Sequence, residues 1–489
     1  MHWTDRLIAP FAPERAVRRA RARQVLAAYE SAKPSRTRTN KGDNASGTHV
    51  AGATGTLRGQ ARHLDQNHDL ARAVLNTLVT RVIGPNGINI EPMPKNADGT
   101  INRDLAKKIS QLRKRWAKTP DTTGELSLAM CEQLLARTWF RDGEALVKDI
   151  MGTVPLYTHL GPVPYSLELL EPDYCPIELD DKARGIRQGI QRNAWGRATY
   201  YYLLKEHPGD GYNFRLDTKP VNAELIHHLK LIDRLHQNRG VSVFASVMSR
   251  LNNLKDYEES EQVAARIAAA MAFYIRKGMP ELYDADADDD DGNRLFEISP
   301  GIVFDDLRPG EDVGTIQSNR PSGLLAPYRD AMQRAVAGGT MCSYSASSKN
   351  YNGTYSAQRQ ELVESWEDYK LLSGWFIHQV SRPVYERFLR LAVASGALKL
   401  PQGIDMDSLY DADYSGPQMP WIDPQKEANG NRISLSNMTK APQQVIRAAG
   451  GNPDEVLDLW QQWQQQVSDR DINPPPGGPT ELIPDGPAD

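Results

Sequence analysis

The sequence has few of the features that define several common classes of protein. Its 489 residues hold three cysteines, Cys131, Cys175 and Cys342, without a CxxC pair, which argues against a disulfide framework and a structural zinc site. We expect the three thiols to be small buried groups. No uncharged apolar run approaches the roughly 18 residues of a membrane-spanning helix, and the N-terminus lacks the apolar core of a secretory signal. We therefore expect that the protein does not contact a membrane. We also expect it to be synthesised in the cytoplasm.

Motifs of catalysis are also lacking. GxxxxGK[ST], a strand-GxGxxG-helix fingerprint, GxSxG and HExxH do not occur, so the sequence offers no phosphate cradle, serine nucleophile or zinc-protease helix. His227 and His228 are adjacent, point in different directions on a helix or a strand, and so cannot easily share a metal ion. Cys342 has no neighbouring base in the sequence that would activate it. We expect no catalytic residue, no metal and no cofactor.

The densest charge cluster is acidic, with Asp284, Asp286 and Asp288, Asp289, Asp290 and Asp291 before Gly292. A calcium loop with Gly292 at its sixth position would need an oxygen ligand at the twelfth, where Ile298 stands. A solvated acidic loop accounts for the run better, and its charge would repel DNA phosphates. The alternative is that the same run forms the two-metal site of a metal-dependent DNA-processing enzyme.

Charge is unevenly distributed along the chain. The net charge is −4, whereas tight binding to a nucleic-acid backbone needs dense Lys and Arg, so any contact with DNA must be local or weak. The first 41 residues nevertheless carry ten Lys or Arg against three acids, which predicts an exposed basic helix followed by a flexible arm. Residues 42–57 are rich in Gly, Ala, Ser and Thr and predict a mobile linker.

Hydrophobic periodicity predicts a mixed chain of the α+β class. Residues 241–277 contain neither Gly nor Pro and predict an amphipathic helix of roughly 50 Å. A helix of that length more often bridges layers or packs beside copies of itself than folds back on a small domain, although a plain core helix is the alternative. The remaining predicted elements are helices over 58–83, 103–118, 125–142, 328–337, 357–396 (bent at Gly374 and Pro383) and 440–467, a strand-rich region over 144–230, and a small β unit with strands RLFEI and GIVFDD.

A polar loop follows the helix that Gly338 and Gly339 end. Its sequence, SYSASSKNYNGTYS, offers hydroxyls, amides and tyrosines, and Lys349 is its single cation. Such groups can touch DNA phosphates through weak hydrogen bonds without reading bases. An ordinary surface loop is the alternative interpretation.

Several blocks of the sequence together resemble the lambda-type family of phage portal proteins. The N-terminal DRLIAPFAPERAVRRARARQ and ARHLDQNHDLARAVLNTLVTRVIGPNGINI are similar to its first segments, although the turn reads Ile-Gly-Pro-Asn-Gly-Ile here. FRDGEALVK, LELLEPDY and RGVSVFASVMSRL are similar to later blocks. The strongest similarity lies in SKNYNGTYSAQRQELVESW, RPVYERFLRLAV and PWIDPQKEA, and the shared order covers nearly the whole chain.

This resemblance implies a portal fold, built from a wing, a long-helix stem, a small β-containing clip and an α-helical crown and assembled as a dodecameric ring. It divides the chain into a basic N-terminal segment and linker (1–57), wing (58–240), first stem helix (241–278), clip (279–320), second stem helix (321–342), tunnel loop (343–354), a second wing segment with a long helix (355–422), crown (423–470) and disordered tail (471–489).

The resemblance also implies a structural role at the capsid vertex of the virion. Double-stranded DNA would pass through the ring during packaging and ejection, brushed by a tunnel loop that includes Lys349, Asn350, Asn352 and Gly353. The acidic clip, Asp288 to Asp291, would dock the packaging motor. The implied partners are the terminase large subunit, head-tail connector proteins, and the major capsid and scaffolding proteins. A head-tail adaptor ring that does not conduct DNA is the remaining alternative.

Overall fold

A computed structural model describes residues 46–209, 217–270, 273–277, 311–315, 325–419 and 423–470. The chain divides into two compact units, one comprising residues up to Ser246 together with those from Ala337 onward, and the other Val247–Val336. None of the helices in the described parts is long and apolar enough to cross a membrane.

The first unit opens with two helices, α1 (Ser46–Asn67) and α2 (Asp69–Val82), separated at His68. The linker predicted for residues 42–57 is therefore wrong from Ser46 onward. Ala53, Leu57, Ala61 and Leu64 lie on one face of α1 and are buried, so small residues that suggested a linker instead allow close packing. The single helix predicted over 58–83 is interrupted because His68 adopts an extended backbone conformation, with φ −127° and ψ 115°.

Two further helices confirm their predictions. α3 spans Arg103–Trp116 and starts at Asn102, whose side chain accepts a hydrogen bond from the amide of Leu105 at 2.8 Å. α4 spans Leu128–Asp142 and ends at Gly143, which adopts the left-handed conformation at φ 90°. Polar N-caps and glycine C-caps of this kind satisfy helix ends that would otherwise leave backbone groups unpaired.

The region predicted to be rich in strands forms two antiparallel sheets. The strands are β2 (Glu144–Met151), β3 (Tyr165–Leu170), β4 (Ile186–Arg187), β5 (Ile190–Arg192), β6 (Ala198–Leu204), β7 (Thr218–Asn222) and β8 (Ile226–Lys230). Their orders are β3-β2-β8 in the first sheet and β4-β5-β6-β7 in the second. In the first sheet, Val147 of β2 pairs with Leu169 of β3 and with His227 of β8.

After the polar loop, the first unit continues as one long helical region. Helix α8 (Tyr355–Phe376) passes into a π-helical turn (Ile377–Ser381) and then into α9 (Arg382–Ala394). The positions predicted to bend, Gly374 and Pro383, flank this change of helix type, and Pro383 in the first turn of α9 has no amide hydrogen to donate to the preceding turn. Strand β11 (Ala412–Ser415) then pairs with β1 (Asn89–Pro92).

The region over 423–470, which the resemblance assigns to a helical crown, holds three helices, and the helix predicted over 440–467 is interrupted at residues 449–452. The three helices are α10 (Pro424–Ser436), α11 (Pro442–Ala448) and α12 (Pro453–Asp469). Ion pairs join α12 to α3, with 2.6 Å from Lys107 Nζ to Asp458 and 2.6 Å from Lys114 Nζ to Glu455. Residues 471–489, predicted to be a disordered tail, lie outside the described residues.

The second unit holds α5 (Met248–Ala270), two paired strands, β9 (Phe273–Lys277) and β10 (Glu311–Thr315), and most of α6 (Leu325–Gly339). The rings of Tyr257 and Tyr328 lie 4.7 Å apart, and Arg329 Nε lies 3.1 Å from Glu258, so α5 and α6 pack together within it.

The uninterrupted helix predicted over 241–277 is wrong at both ends. The amides of Val241 and Val243 donate to the carbonyls of Leu231 and Phe140, at 3.2 and 3.0 Å, and so cannot enter a helix. The other end, FYIRK, is rich in aromatic and β-branched residues and pairs as a strand. Helix α5 is consequently about 35 Å long at 1.5 Å per residue. The strands predicted at RLFEI and GIVFDD, within 279–320, lie outside the described residues.

Candidate functional site: a polar loop and a buried ion network

The loop over 343–354 is more ordered than its composition suggests. Its first half forms a short helix, α7 (Tyr344–Ser348), which begins at Ser343. The Ser343 hydroxyl accepts a hydrogen bond from the amide of Ala346 at 3.2 Å. The second half, residues 349–354, has no regular secondary structure.

Two side chains of α8 hold the beginning of the loop. The Glu361 carboxylate accepts a hydrogen bond from the Ser343 hydroxyl at 2.7 Å and another from the Ser345 amide at 2.9 Å. The hydroxyl of Tyr369 accepts one from the Ser343 amide at 2.9 Å. Partial burial of Glu361 raises its pKa, but the donated hydrogen bonds outweigh this and the pKa lies below its ordinary value. The carboxylate is therefore the form that binds the loop.

The four loop residues singled out from the sequence occupy different environments. Lys349 is exposed and adopts the left-handed conformation, with φ 57° and ψ 21°. Asn352 and Gly353 are exposed as well. The Asn350 side chain is engaged within the loop, since its amide donates to the Tyr344 hydroxyl at 3.0 Å and its carbonyl accepts from the Asn352 amide at 3.1 Å.

Lys349 is thus the charge that this loop presents outward. Within the part of the chain that the structure describes, no ion pair involves Lys349. Tyr351 is 58% exposed beside it. The backbone at Gly353 is not in the left-handed region, and a Cβ atom there would meet Gln358 at an ordinary 3.6 Å. The structure therefore does not require glycine at this position.

Helix α10 contacts the beginning of α8, where the loop ends. The ammonium of Lys426 lies over the ring of Tyr355, 5.7 Å from its centre. Arg359 lies 3.7 Å from the carboxylate of Glu427. The helix that follows the loop is therefore held by α10 at its start, whereas the beginning of the loop is attached to α8.

A buried ion network, which sequence reasoning missed, joins three of the blocks that carry the family resemblance. Glu144 from FRDGEALVK is fully buried and accepts hydrogen bonds from Arg239 at 2.9 Å, from Arg58 at 3.1 Å and from the amide of Gly240 at 3.0 Å. Arg239 precedes the VSVF block, and its guanidinium also donates to the carbonyl of Pro172 in LELLEPDY at 3.2 Å. The available signal was a charged residue beside a glycine, since Glu144 follows Gly143 and Arg239 precedes Gly240.

The electrostatics of this network explain how it tolerates burial. Burial opposes ionisation of Glu144, but Arg239 and the hydrogen bond from His228 hold the pKa of its carboxyl well below the ordinary range. Burial lowers the pKa of His228 to about 4, and its bond to Glu144 offsets only part of that effect. The network is therefore a structural support within the first unit and resembles a charged core more than a reaction centre.

A second group of charges could be mistaken for a metal site. Glu171, Asp173 and His207 offer ligand atoms within 4.8 Å of one another. However, the guanidinium of Arg62 lies 2.5 Å from Asp173 and 3.2 Å from Glu171. Because a cation of the protein already occupies this position, the geometry does not favour a metal ion there.

The other residues considered for chemistry have structural environments. His227 contacts Asp149 at 2.9 Å and His228 contacts Glu144 at 2.9 Å, so the two imidazoles point apart as predicted. All three cysteines are buried, as expected, and burial raises the pKa of Cys131 and Cys342 to about 12 and of Cys175 to about 11. These thiols are therefore poor nucleophiles at neutral pH. The acidic run Asp288 to Asp291 lies outside the described residues.

Comparison with known proteins gives both sequence and structure relatives. The family model described as phage portal protein, lambda family, matches residues 33–372. The probable portal protein of Halomonas phage phiHAP-1 is 26% identical over 421 residues, covering 82% of this chain and 79% of the relative. The probable S-adenosylmethionine synthase of Aquifex aeolicus is 25% identical over 142 residues, which cover 29% of this chain and 34% of that protein.

Among solved structures, a chain from the neck of the native GTA particle covers 82% of this chain and 94% of its own length. Its TM-score is 0.45 and its sequence identity is 11%. A chain from the neck of the empty GTA particle covers 81% of this chain and 94% of its own, with a TM-score of 0.47 and 11% identity.

Proposed function

Because the chain belongs to the lambda family of phage portal proteins, we propose that twelve copies assemble as a ring at the capsid vertex and conduct double-stranded DNA. The family match over residues 33–372 carries this proposal. The protein has a structural role in the virion, and the ring would be assembled in the host cytoplasm before it joins the capsid.

Within this ring, the exposed half of the polar loop would line the channel. Twelve copies would place twelve Lys349 ammonium groups around the DNA, with Asn352 and Gly353 beside them. Contact with phosphates is independent of sequence, and a single cation per copy keeps each contact weak. The loop would therefore guide or retain DNA and still let it slide. Asn350 would order the loop, since its amide is already engaged.

The clip and the wing would supply the contacts with other proteins. The acidic run Asp288 to Asp291 in the clip would suit a basic surface of the terminase large subunit or of head-tail connector proteins, because opposite charges steer association. The wing would meet the major capsid and scaffolding proteins. Neither a metal ion nor a cofactor is needed for any of these roles.

Two measurements test the proposal. Electron microscopy and sedimentation of the purified protein should show twelve-fold rings with a central bore, many times the 54.6 kDa protomer. Lys349→Glu should leave the rings intact and reduce packaging or retention of DNA, because phosphates are repelled. Lys370→Glu, on the exposed surface of α8, is the matched charge reversal and should package normally.

The rival roles give different results. Rings whose bore is too narrow for a duplex would indicate an adaptor that does not conduct DNA. A compact single copy with metal-dependent nuclease activity, lost when Asp288 to Asp291 are neutralised, would indicate the DNA-processing enzyme. Normal packaging by Lys349→Glu would remove the loop from the DNA path.

A further inference from the structure

The loop over 343–354 consists of two parts with different restraints. The first part is helix α7, in which the Ser347 amide donates to the Ser343 carbonyl at 3.1 Å and the Ser343 hydroxyl caps Ala346. The second part begins at Lys349, where the left-handed conformation ends the helix. The position of Lys349 in space is therefore set by whatever fixes α7.

Helix α7 is too short to be stable alone, because isolated helices below about 12 residues are marginal in water. Its fixation must come from neighbours. Glu361 and Tyr369 lie eight residues apart on α8, hence on one face of that helix, and both accept hydrogen bonds from the start of the loop. Ser343 is bound to both side chains, so it forms the fixed point of α7.

Glu361 makes the stronger of the two attachments. One of its carboxylate oxygens accepts from the Ser343 hydroxyl and from the Ser345 amide together, at 2.7 and 2.9 Å. Hydrogen bonds to a charged acceptor are about twice as strong as neutral ones. A negative charge at the beginning of α7 also interacts favourably with the amides that point toward it.

We propose that Glu361 is the positioning residue of the DNA-contacting loop: by fixing Ser343 and Ser345 to α8, it sets where each copy presents Lys349. This inference rests on the proposed function and deepens it. Glu361 itself does not touch DNA. Without the Glu361 carboxylate, the helical half of the loop is no longer fixed to α8. The twelve Lys349 groups then no longer lie at the same height along the channel.

Hydrogen–deuterium exchange on the assembled protein tests the positioning. In Glu361→Ala, the amides of residues 343–349 should exchange at least about fivefold faster than in the wild type, because local opening becomes easier. Peptides from the core strand β2 should exchange unchanged. Glu361→Gln retains a carbonyl at the accepting position and should restore most of the protection. Glu364→Ala, which alters an exposed carboxylate of the same helix, is the matched control.

The functional arm measures DNA retention in particles that carry each variant. Glu361→Ala should lose retained DNA, whereas Glu361→Gln and Glu364→Ala should behave as the wild type. Unchanged exchange at 343–349 in Glu361→Ala, equally accelerated exchange in β2, or normal retention despite a released loop would each overturn the proposal. Lys349→Glu is measured in parallel: its normal retention would instead remove the loop from the DNA path, whatever the exchange results are.

Discussion

The Arg239 guanidinium donates hydrogen bonds to both carboxylate oxygens of Glu144, at 2.9 Å each, and both side chains are withdrawn from solvent. The same guanidinium donates to the carbonyls of Pro172, Cys175 and Gln188. One ion pair thus joins the first sheet to the segment that leads into the second. Segments that are almost a hundred residues apart in the chain depend on it for their relative position.

Removing Glu144 should be strongly destabilising. Glu144→Ala leaves Arg239 buried without its counter-charge, and the loss of one partner of a buried pair costs about 3–5 kcal/mol. Chemical denaturation followed by circular dichroism measures the change. Glu168→Ala breaks the half-exposed pair with Lys148 and should cost about 1 kcal/mol or less. Equal losses in the two variants would show that the buried pair has no special role.

The turn next to this pair should not tolerate a side chain. A Cβ atom at Gly240 would lie 1.9 Å from the Gly143 carbonyl oxygen, a backbone atom that cannot move aside alone. We expect Gly240→Ala to cost more than about 3 kcal/mol, in line with severe overpacking. Gly374→Ala in α8 meets nothing within 4 Å and should stabilise by about 0.5–1 kcal/mol. Thermal denaturation of both variants checks this, and a mild effect of Gly240→Ala would contradict the geometry.

Titration of Glu132 should make the stability of the fold depend on pH. Burial raises the pKa of Glu132 from 4.5 to about 7, although hydrogen bonds from the Ile88 amide and the Ser381 hydroxyl oppose the shift. The folded state therefore holds a proton that the unfolded state releases, so this residue's contribution to stability falls as the pH rises from about 4.5 to above 7.

Glu132→Gln removes that dependence and nearly keeps the shape of the side chain. Its stability relative to the wild type should increase between pH 5 and pH 8, by about 2 kcal/mol. Urea denaturation of both proteins at both pH values measures this difference. Groups that titrate alike in the two proteins, such as His228, contribute equally to both unfolding free energies and so do not affect the difference. A difference that stays constant with pH would show that Glu132 is ionised throughout.

The acidic run that we propose for the clip should contribute to docking by charge. Changing Asp288, Asp289, Asp290 and Asp291 to Asn should weaken binding of the packaging motor and reduce its dependence on salt, since steering between opposite charges is screened by ions. Binding of labelled motor protein to purified rings, at low and at physiological salt, measures the effect. A variant with the same change in net charge, made at the exposed residues Glu125, Asp407, Glu364 and Asp368, serves as the control. Unchanged motor binding would count against the clip as the docking surface.

The sequence by itself determined the local structure wherever one physical signal dominated. Helix α3 begins after Asn102, and α4 begins after Ser127 and ends before Gly143, as capping chemistry predicts. The alternating runs after Glu144 form strands. The family resemblance was likewise carried by local blocks of sequence, and the family match confirms it. Buried cysteines without reactive partners also followed from composition.

Tertiary structure decided what distant residues supply. Residues 46–57 look like a linker in composition but form a helix, because Ala53 and Leu57 are buried in the core of the first unit. Val241 and Val243 fit a helical period but donate their amides to Leu231 and Phe140. Glu144 and Arg239 form their ion pair across a long stretch of the chain. Glu361 contacts Ser343 only because α8 lies beside the loop. Periodicity describes one element at a time, whereas hydrogen bonds and ion pairs between elements decide which local preference prevails.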